Sequence, residues 1–204
     1  MTRFLKHQRR VPCHSFSLLE MLLVLAVTAI ILALSMEGYA GIVQSTAVTT
    51  GADMISDLLA EGRTDAVAQN TTVEVRIYDL PPQPGATPAY DALQLHLIKS
   101  DGTTPAAANP LLLSSWIVID TTLSHSPLIA GNTNTATPDL TDTRLNSATR
   151  VFHFLPDGST DLNPATNWFM TVRAANQSDP AHFPANWACV AIDATTGRTQ
   201  IYRP

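Results

Sequence analysis

Asp157, Ser159, Asp161 and Asn163 alternate through one turn, and side-chain oxygens at that spacing are what a calcium ion collects. The glycine of this stretch, Gly158, falls at the second position, whereas the tight bend of an EF-type loop needs one at the sixth. A plain turn is therefore the commoner explanation, and Asp157, Asp161 and Asn163 stand as calcium candidates against it. The six histidines, at 7, 14, 96, 125, 153 and 182, form neither a His-Glu-x-x-His pair nor a paired zinc spacing. No Gly-x-Ser-x-Gly elbow or phosphate loop occurs. No catalytic residue is nominated, no cofactor is implied, and the chain reads as something other than an enzyme.

The two cysteines, Cys13 and Cys189, add little chemistry. Cys13 precedes an apolar run instead of following one, which is the wrong side for a lipid attachment. Cys189 reads as a small buried residue on a strand. If the first 15 residues are removed only Cys189 remains, so no intramolecular disulfide can form.

The charged group whose position demands an explanation is Glu20. It sits in Ser15-Phe16-Ser17-Leu18-Leu19-Glu20, and an uninterrupted apolar run from Met21 to Leu34 follows it. A carboxylate near the middle of a bilayer costs about 2.5 to 3.5 kcal/mol, so a signal peptide or plain anchor has no use for one. Before the run, residues 1–15 carry Arg3, Lys6, Arg9 and Arg10 and no acid. Without those four charges the remainder is more acidic than the whole chain's net −5. An acidic surface argues against nucleic acid as a partner, since that would call for a basic stripe.

The elements that position these groups follow from periodicity. Residues 16–36 form a transmembrane-length run, spanning ~31 Å as a helix, with its basic flank on the cytoplasmic side. Beyond it the period stays helical to about Asn70. Tyr39, Ile42, Val43, Met54, Ile55, Leu58, Leu59, Ala66 and Val67 keep one apolar face, and Asp53, Asp57, Glu61, Asp65 and Gln69 recur on the other. From Thr71 the period becomes two: Val73, Val75 and Ile77 alternate with Thr72, Glu74 and Arg76, which predicts a half-buried strand. Leu93, Leu95 and Leu97 predict a second, Trp116 to Ile119 a third, and Arg150 to Phe154 a fourth. Trp168 to Arg173 is its expected partner across the turn at 156–159. A last hairpin joins Trp187–Ile192 to Thr199–Tyr202. His96 and His153 fall on outward faces, where a solvated side chain is favoured. Residues 120–149, rich in Thr, Asn, Ser and Pro, predict a long surface excursion.

The stretch Phe16-Ser17-Leu18-Leu19-Glu20 behind a short basic leader resembles the type IV prepilin class, including the pseudopilins of type II secretion. That pattern is a glycine, a phenylalanine, Thr or Ser, two aliphatic residues and a glutamate, then an apolar helix; Ser15 stands here in place of the glycine. The resemblance implies cleavage by a membrane prepilin peptidase between Ser15 and Phe16, N-methylation of Phe16, and an assembly contact in which Glu20 meets the terminal amine of a neighbouring subunit. Such a pairing would make a carboxylate in low dielectric tolerable. Further along, Leu59 to Asn70 followed by Val73, with Phe154-Leu155-Pro156-Asp157-Gly158 and Thr196-Gly197-Arg198, resembles minor pseudopilins of the H type and their pilus-biogenesis relatives. Arg63 within that helix end is as well explained as a solvated arginine as by any special role. The Asn- and Thr-rich arrangement is also similar to a set of prepilin-like proteins encoded in verrucomicrobial gene cassettes.

The expected architecture is α+β and pilin-like. It comprises a leader at 1–15, a transmembrane half-helix at 16–36, an amphipathic half at 37–70 packed on an antiparallel sheet, and a β-rich domain at 71–204. The expected role is a structural subunit of a type II secretion or type IV pilus-like system. Its partners would be prepilin peptidase, other pilin or pseudopilin subunits and the cytoplasmic membrane, with the C-terminal domain periplasmic. The alternative is a membrane-tethered extracytoplasmic binding domain that never polymerises and recognises a ligand through the 120–149 loop.

Overall fold

The structure is a computed structural model that describes residues 17–80, 89–136, 149–177, 182–183 and 185–204, with the side chains of 34–40, 89 and 149 outside the description. Ser15 and Phe16 therefore lie outside the described residues. The chain divides into two compact units, Met1–Gly41 and Ile42–Pro204.

Helix α1 runs Leu18–Ala68, 51 residues, close to the expected span. Its part in the first unit presents Leu18, Leu19, Leu25, Ile30 and Leu32 as exposed side chains. Among the described residues no helix is long and apolar enough to cross a membrane.

In the second unit α1 buries Val48, Ala52, Ile55, Leu59 and Ala66, a spacing of three and four that keeps one stripe against the sheet. Met54 and Val67 are exposed, so the packed face is turned by one residue from the predicted one. Gly51 and Gly62 let the helix backbone approach closely: a Cβ on either would fall 2.2 Å from Ile117 Cδ1 or 2.9 Å from Leu95 Cδ2. The helix stops in a Schellman-type cap. Thr71 N–H donates to the Ala66 carbonyl and Asn70 N–H to that of Val67, with Asn70 left-handed at φ 48°.

The strands are β1 (Thr72–Leu80), β2 (Ala89–Ile98), β3 (Leu111–Leu112), β4 (Ile117–Ile119), β5 (Thr149–Phe154), β6 (Trp168–Ala174), β7 (Trp187–Ile192) and β8 (Thr199–Tyr202). They form one sheet in the order β5-β1-β2-β4-β6-β7-β8, with β3 pairing β2. Every pairing is antiparallel. One face meets α1 through Val73, Val75, Ile77, Leu93, Leu95, Phe152, Phe154, Val172 and Val190. Burying side chains of this size contributes about 1.5–3 kcal/mol each. The fold is thus α+β, a long helix on an antiparallel sheet.

Three expectations are corrected. First, β5 and β6 are not partners: β5 pairs β1 and β6 pairs β4 and β7. After the turn at 156–159 the chain makes only a bridge from Phe154 to Thr160 before moving to the other side of the sheet. Second, β1 is buried on both faces, with Glu74 and Arg76 buried along with their apolar neighbours. His96, expected in solvent, is 0% exposed.

Third, residues 120–149 are not all a surface excursion. Helix α2 (Pro127–Ala130) buries Leu128 and Ile129 in the core. The segment is tied at both ends to the sheet: Thr171 N–H donates to Ser126 Oγ at 3.0 Å, and Arg150 Nε–H to the Ile129 carbonyl at 3.0 Å. Asn132 Nδ2–H donates to the Val151 carbonyl at 2.7 Å, and Val151 N–H to that of Asn134. The two apolar residues between prolines and polar residues have no period of their own, so only tertiary packing reveals them. The part at 137–148 lies outside the described residues.

Candidate functional site

Ser17 and Glu20 open α1 as a capping box. Glu20 N–H donates to Ser17 Oγ at 3.2 Å, and Ser17 N–H reaches Glu20 Oε2 at 3.4 Å. A serine followed three residues later by glutamate satisfies two otherwise orphaned backbone donors, and a carboxylate is favoured there by the helix dipole. Glu20 is exposed, and the side chains after it from Met21 to Leu32 are exposed as well and apolar except for Thr28, whose hydroxyl donates to the Leu25 carbonyl. Among the described residues, the carboxylate in the first turn of this exposed helix has one hydrogen-bond partner, the Ser17 N–H.

Arg63 has a defined place. Its Nε–H is shared between the Thr196 carbonyl at 2.7 Å and the Gly158 carbonyl at 3.2 Å, joining α1 to two turns far apart in sequence. Both turns need glycine: Gly158 has φ 83° and Gly197 φ 65°. Each also lies against Arg63, so a Cβ on Gly158 would sit 3.1 Å from Nη2 and one on Gly197 3.2 Å from Cδ. Thr160 completes the junction through N–H and Oγ1 bonds to the Ala194 carbonyl. The helix-end segment and the two turn motifs quoted separately from the sequence thus meet at one guanidinium. It reads as a structural joint, its bonds running from one guanidinium and one hydroxyl to main-chain carbonyls.

The face of β5-β1-β2 away from α1 carries a buried polar layer. Glu74 pairs opposite His96 on one side and His153 on the other. His153 donates Nδ1–H to Asp161 Oδ2 at 2.6 Å and Nε2–H to Glu74 Oε2 at 3.2 Å, and Arg76 Nε–H donates to the other Glu74 oxygen. Hydrogen bonds to Asp161 and Glu74 push the His153 pKa up to about 9, so the ring is an imidazolium. Burial alone would raise the Glu74 carboxyl, but the hydrogen bonds from His153 and Arg76 outweigh it and hold it at about 2. His96 donates Nδ1–H to the Thr104 carbonyl at 3.0 Å, which leaves Nε2 to accept from the Tyr78 hydroxyl at 3.3 Å. Neither His96 nor His153 is simply solvated, because the 99–108 segment and Asp161 cover them.

The calcium candidates do not converge. Asp157 Oδ1 accepts from Ser159 N–H and Oγ–H. Asp161 is committed to His153, and Asn163 Oδ1 accepts from Ala165 N–H. Among the described residues no group of three or more His, Cys, Asp or Glu side chains is placed to hold a metal ion. Cys189 is buried on β7, and burial pushes its thiol up to about 11, against a smaller lowering by Thr171, leaving it a poor nucleophile.

No family model matches the chain, and no curated protein matches it. Two solved structures of the minor pseudopilin EpsH from the type 2 secretion system of Vibrio cholerae resemble it. One has a TM-score of 0.47 at 12% identity, covering 77% of this chain and 97% of that one. The other has a TM-score of 0.46 at 11% identity, covering 78% and 96%.

Proposed function

We propose that this chain is a non-enzymatic structural subunit of the prepilin type. It would be processed between Ser15 and Phe16, methylated on Phe16, and assembled with other pilin-like or pseudopilin subunits of a type II secretion or type IV pilus-like system. Before assembly the helix at 16–36 would hold it in the cytoplasmic membrane with residues 71–204 on the periplasmic side. The observation that carries this reading is Glu20 in the first turn of α1, followed by side chains from Met21 to Leu32 that are exposed and, Thr28 apart, apolar. An apolar surface of that extent is not stable in water and calls for lipid or other helices around it. A carboxylate at its head calls for a cation in the same surroundings. The reading as a tethered binding domain leans on the 120–149 loop, and the burial of Leu128 and Ile129 removes part of that loop from any recognition role.

The first test is the intact mass of the full chain expressed with an active prepilin peptidase. Loss of residues 1–15 with gain of one methyl group is expected; an unprocessed chain would overturn the reading. The second is Glu20→Ala, which should abolish incorporation into filaments while the second unit keeps its melting temperature. Unchanged filament recovery would remove the role given to Glu20.

A further inference from the structure

The two edges of the sheet are not alike. Edge strand β5 is engaged by the 132–134 segment, through Asn132 Nδ2 and the Asn134 carbonyl on Val151. Edge strand β8 pairs only with β7 among the described residues. Asp193 N–H donates to the Arg198 carbonyl, so 193/198 is a hydrogen-bonded pair, and by antiparallel alternation so are 191/200 and 189/202. Thr199 and Ile201 therefore turn their N–H and C=O groups away from β7. No main-chain hydrogen bond reaches either on that side among the described residues.

Beside this edge the sheet face away from α1 is hollow. The row Phe169–Ala191–Gln200 puts a small residue on the middle strand between larger ones, and in the next row the small Cys189 lies beside Tyr202. The result is a trough of ≈ 800 Å³ along β6-β7-β8. The Tyr202 hydroxyl donates to Gln200 Oε1 at 2.5 Å, which fixes the wall on β8. Elsewhere on this face 99–108 covers β2 and the His125–Ser126 segment covers Thr171 of β6, so among the described residues the β8 end is the part left open.

We propose that the β8 edge and this trough take an extended strand from another protein, uncharged over its centre and acidic at its ends. Main-chain bonds to Thr199 and Ile201 would supply affinity, and alternate side chains would lie against Gln200 and Tyr202. The charge preference comes from Arg198 and Arg203, which bracket the strand, Arg203 sharing an exposed contact with Asp53. This inference rests on β6–β8 and is independent of the assembly reading.

The test uses the full chain in detergent micelles and a synthetic peptide of alternating threonine and valine with a glutamate at each end. Saturating peptide should slow amide exchange across 199–202 by about tenfold or more. Two further peptides, N-methylated on the valines or on the threonines, should differ: one keeps binding and the other loses it, because only alternate N–H groups face β8. Arg198→Glu, an exposed substitution, should weaken the parent peptide by roughly tenfold. Equal behaviour of the two methylated peptides, unchanged exchange at 199–202, or dimerisation of the chain through β8 would each overturn the proposal.

Discussion

Arg63 Nε–H meets the Thr196 carbonyl at 2.7 Å, a bond that fastens the C-terminal end of a long helix to the turn of the last hairpin, 133 positions away. The same N–H reaches the Gly158 carbonyl at 3.2 Å, so one side chain holds two turns that do not otherwise share a strand. Hydrogen bonds from a charged donor are worth about 1.5–3 kcal/mol, and removing this one leaves two carbonyls short of a partner. Arg63→Met should lower unfolding stability by about that amount in chemical denaturation. Arg63→Lys should recover little, because an ammonium lacks the side-on Nε–H that lies between the two carbonyls. A Met variant within about 0.5 kcal/mol of the parent would show the joint to be idle.

Three glycines separate backbone strain from crowding. Gly102, Gly158 and Gly197 all have positive φ, at 81°, 83° and 65°. A Cβ on Gly102 meets nothing within 4 Å, on Gly158 it meets Arg63 Nη2 at 3.1 Å, and on Gly197 it meets the Gly158 carbonyl oxygen at 2.2 Å. Gly102→Ala should therefore report left-handed strain alone, about 1–2 kcal/mol. Gly158→Ala should cost somewhat more and Gly197→Ala the most, since backbone cannot yield as a side-chain tip can. Thermal melts of the three variants in one buffer give the order, and equal losses would mean the crowding is relieved elsewhere.

The Glu74–His153–Asp161 cluster gives stability a pH signature. His153 is raised to about 9 from an ordinary 6.5, so its contribution is complete below 6.5 and is lost as pH rises through 9. Glu74 is lowered to about 2 from 4.5, so its contribution is present above 4.5 and is lost as pH falls toward 2. Asp161 is held down too: burial opposes this, and the His153 hydrogen bond and charge prevail. The cluster is strongest between 4.5 and 6.5, and the three groups titrate as a unit. His153→Gln should remove on the order of 1–3 kcal/mol in that window and flatten the decline toward pH 9. A parent and variant with parallel stability curves from pH 5 to 9 would exclude the coupling.

What was legible in the sequence is what local period encodes. The long helix, the strands at 72–80, 187–192 and 199–202, the 93–97 part of the strand at 89–98, and the tight turns at Gly158 and Gly197 follow from spacing and from residues that tolerate positive φ. The outer face of β1 was misread because alternation of Glu74 and Arg76 with valines is the same pattern whether that face meets water or a polar layer. Only the return of 99–108 across β2 decides it. The partner of β5 was misread because a turn signal says that the chain reverses, not which strand it then joins. Arg63 shows the reverse case: a helix arginine with two equal explanations becomes a joint once the turns around Gly158 and Gly197 are brought to it.

The fate of residues 120–149 can be tested at Leu128, which is 0% exposed in a four-residue helix and so draws no stability from helix length. Two extremes bracket the outcome. If α2 merely rests on the sheet, Leu128→Ala resembles a surface change and stays within about 0.5 kcal/mol. Burial of Leu128 and Ile129 among the core residues, with Ser126, Ile129 and Asn132 bonded to β6 and β5, argues for the other extreme. The expected loss is therefore about 2–5 kcal/mol, the range for a large core side chain cut to alanine. Exchange protection at Thr171 and Val151, whose N–H groups bond to Ser126 and Asn134, should fall with it. A stable Leu128→Ala variant with both amides still protected would return this segment to the surface and reopen its candidacy as a recognition loop.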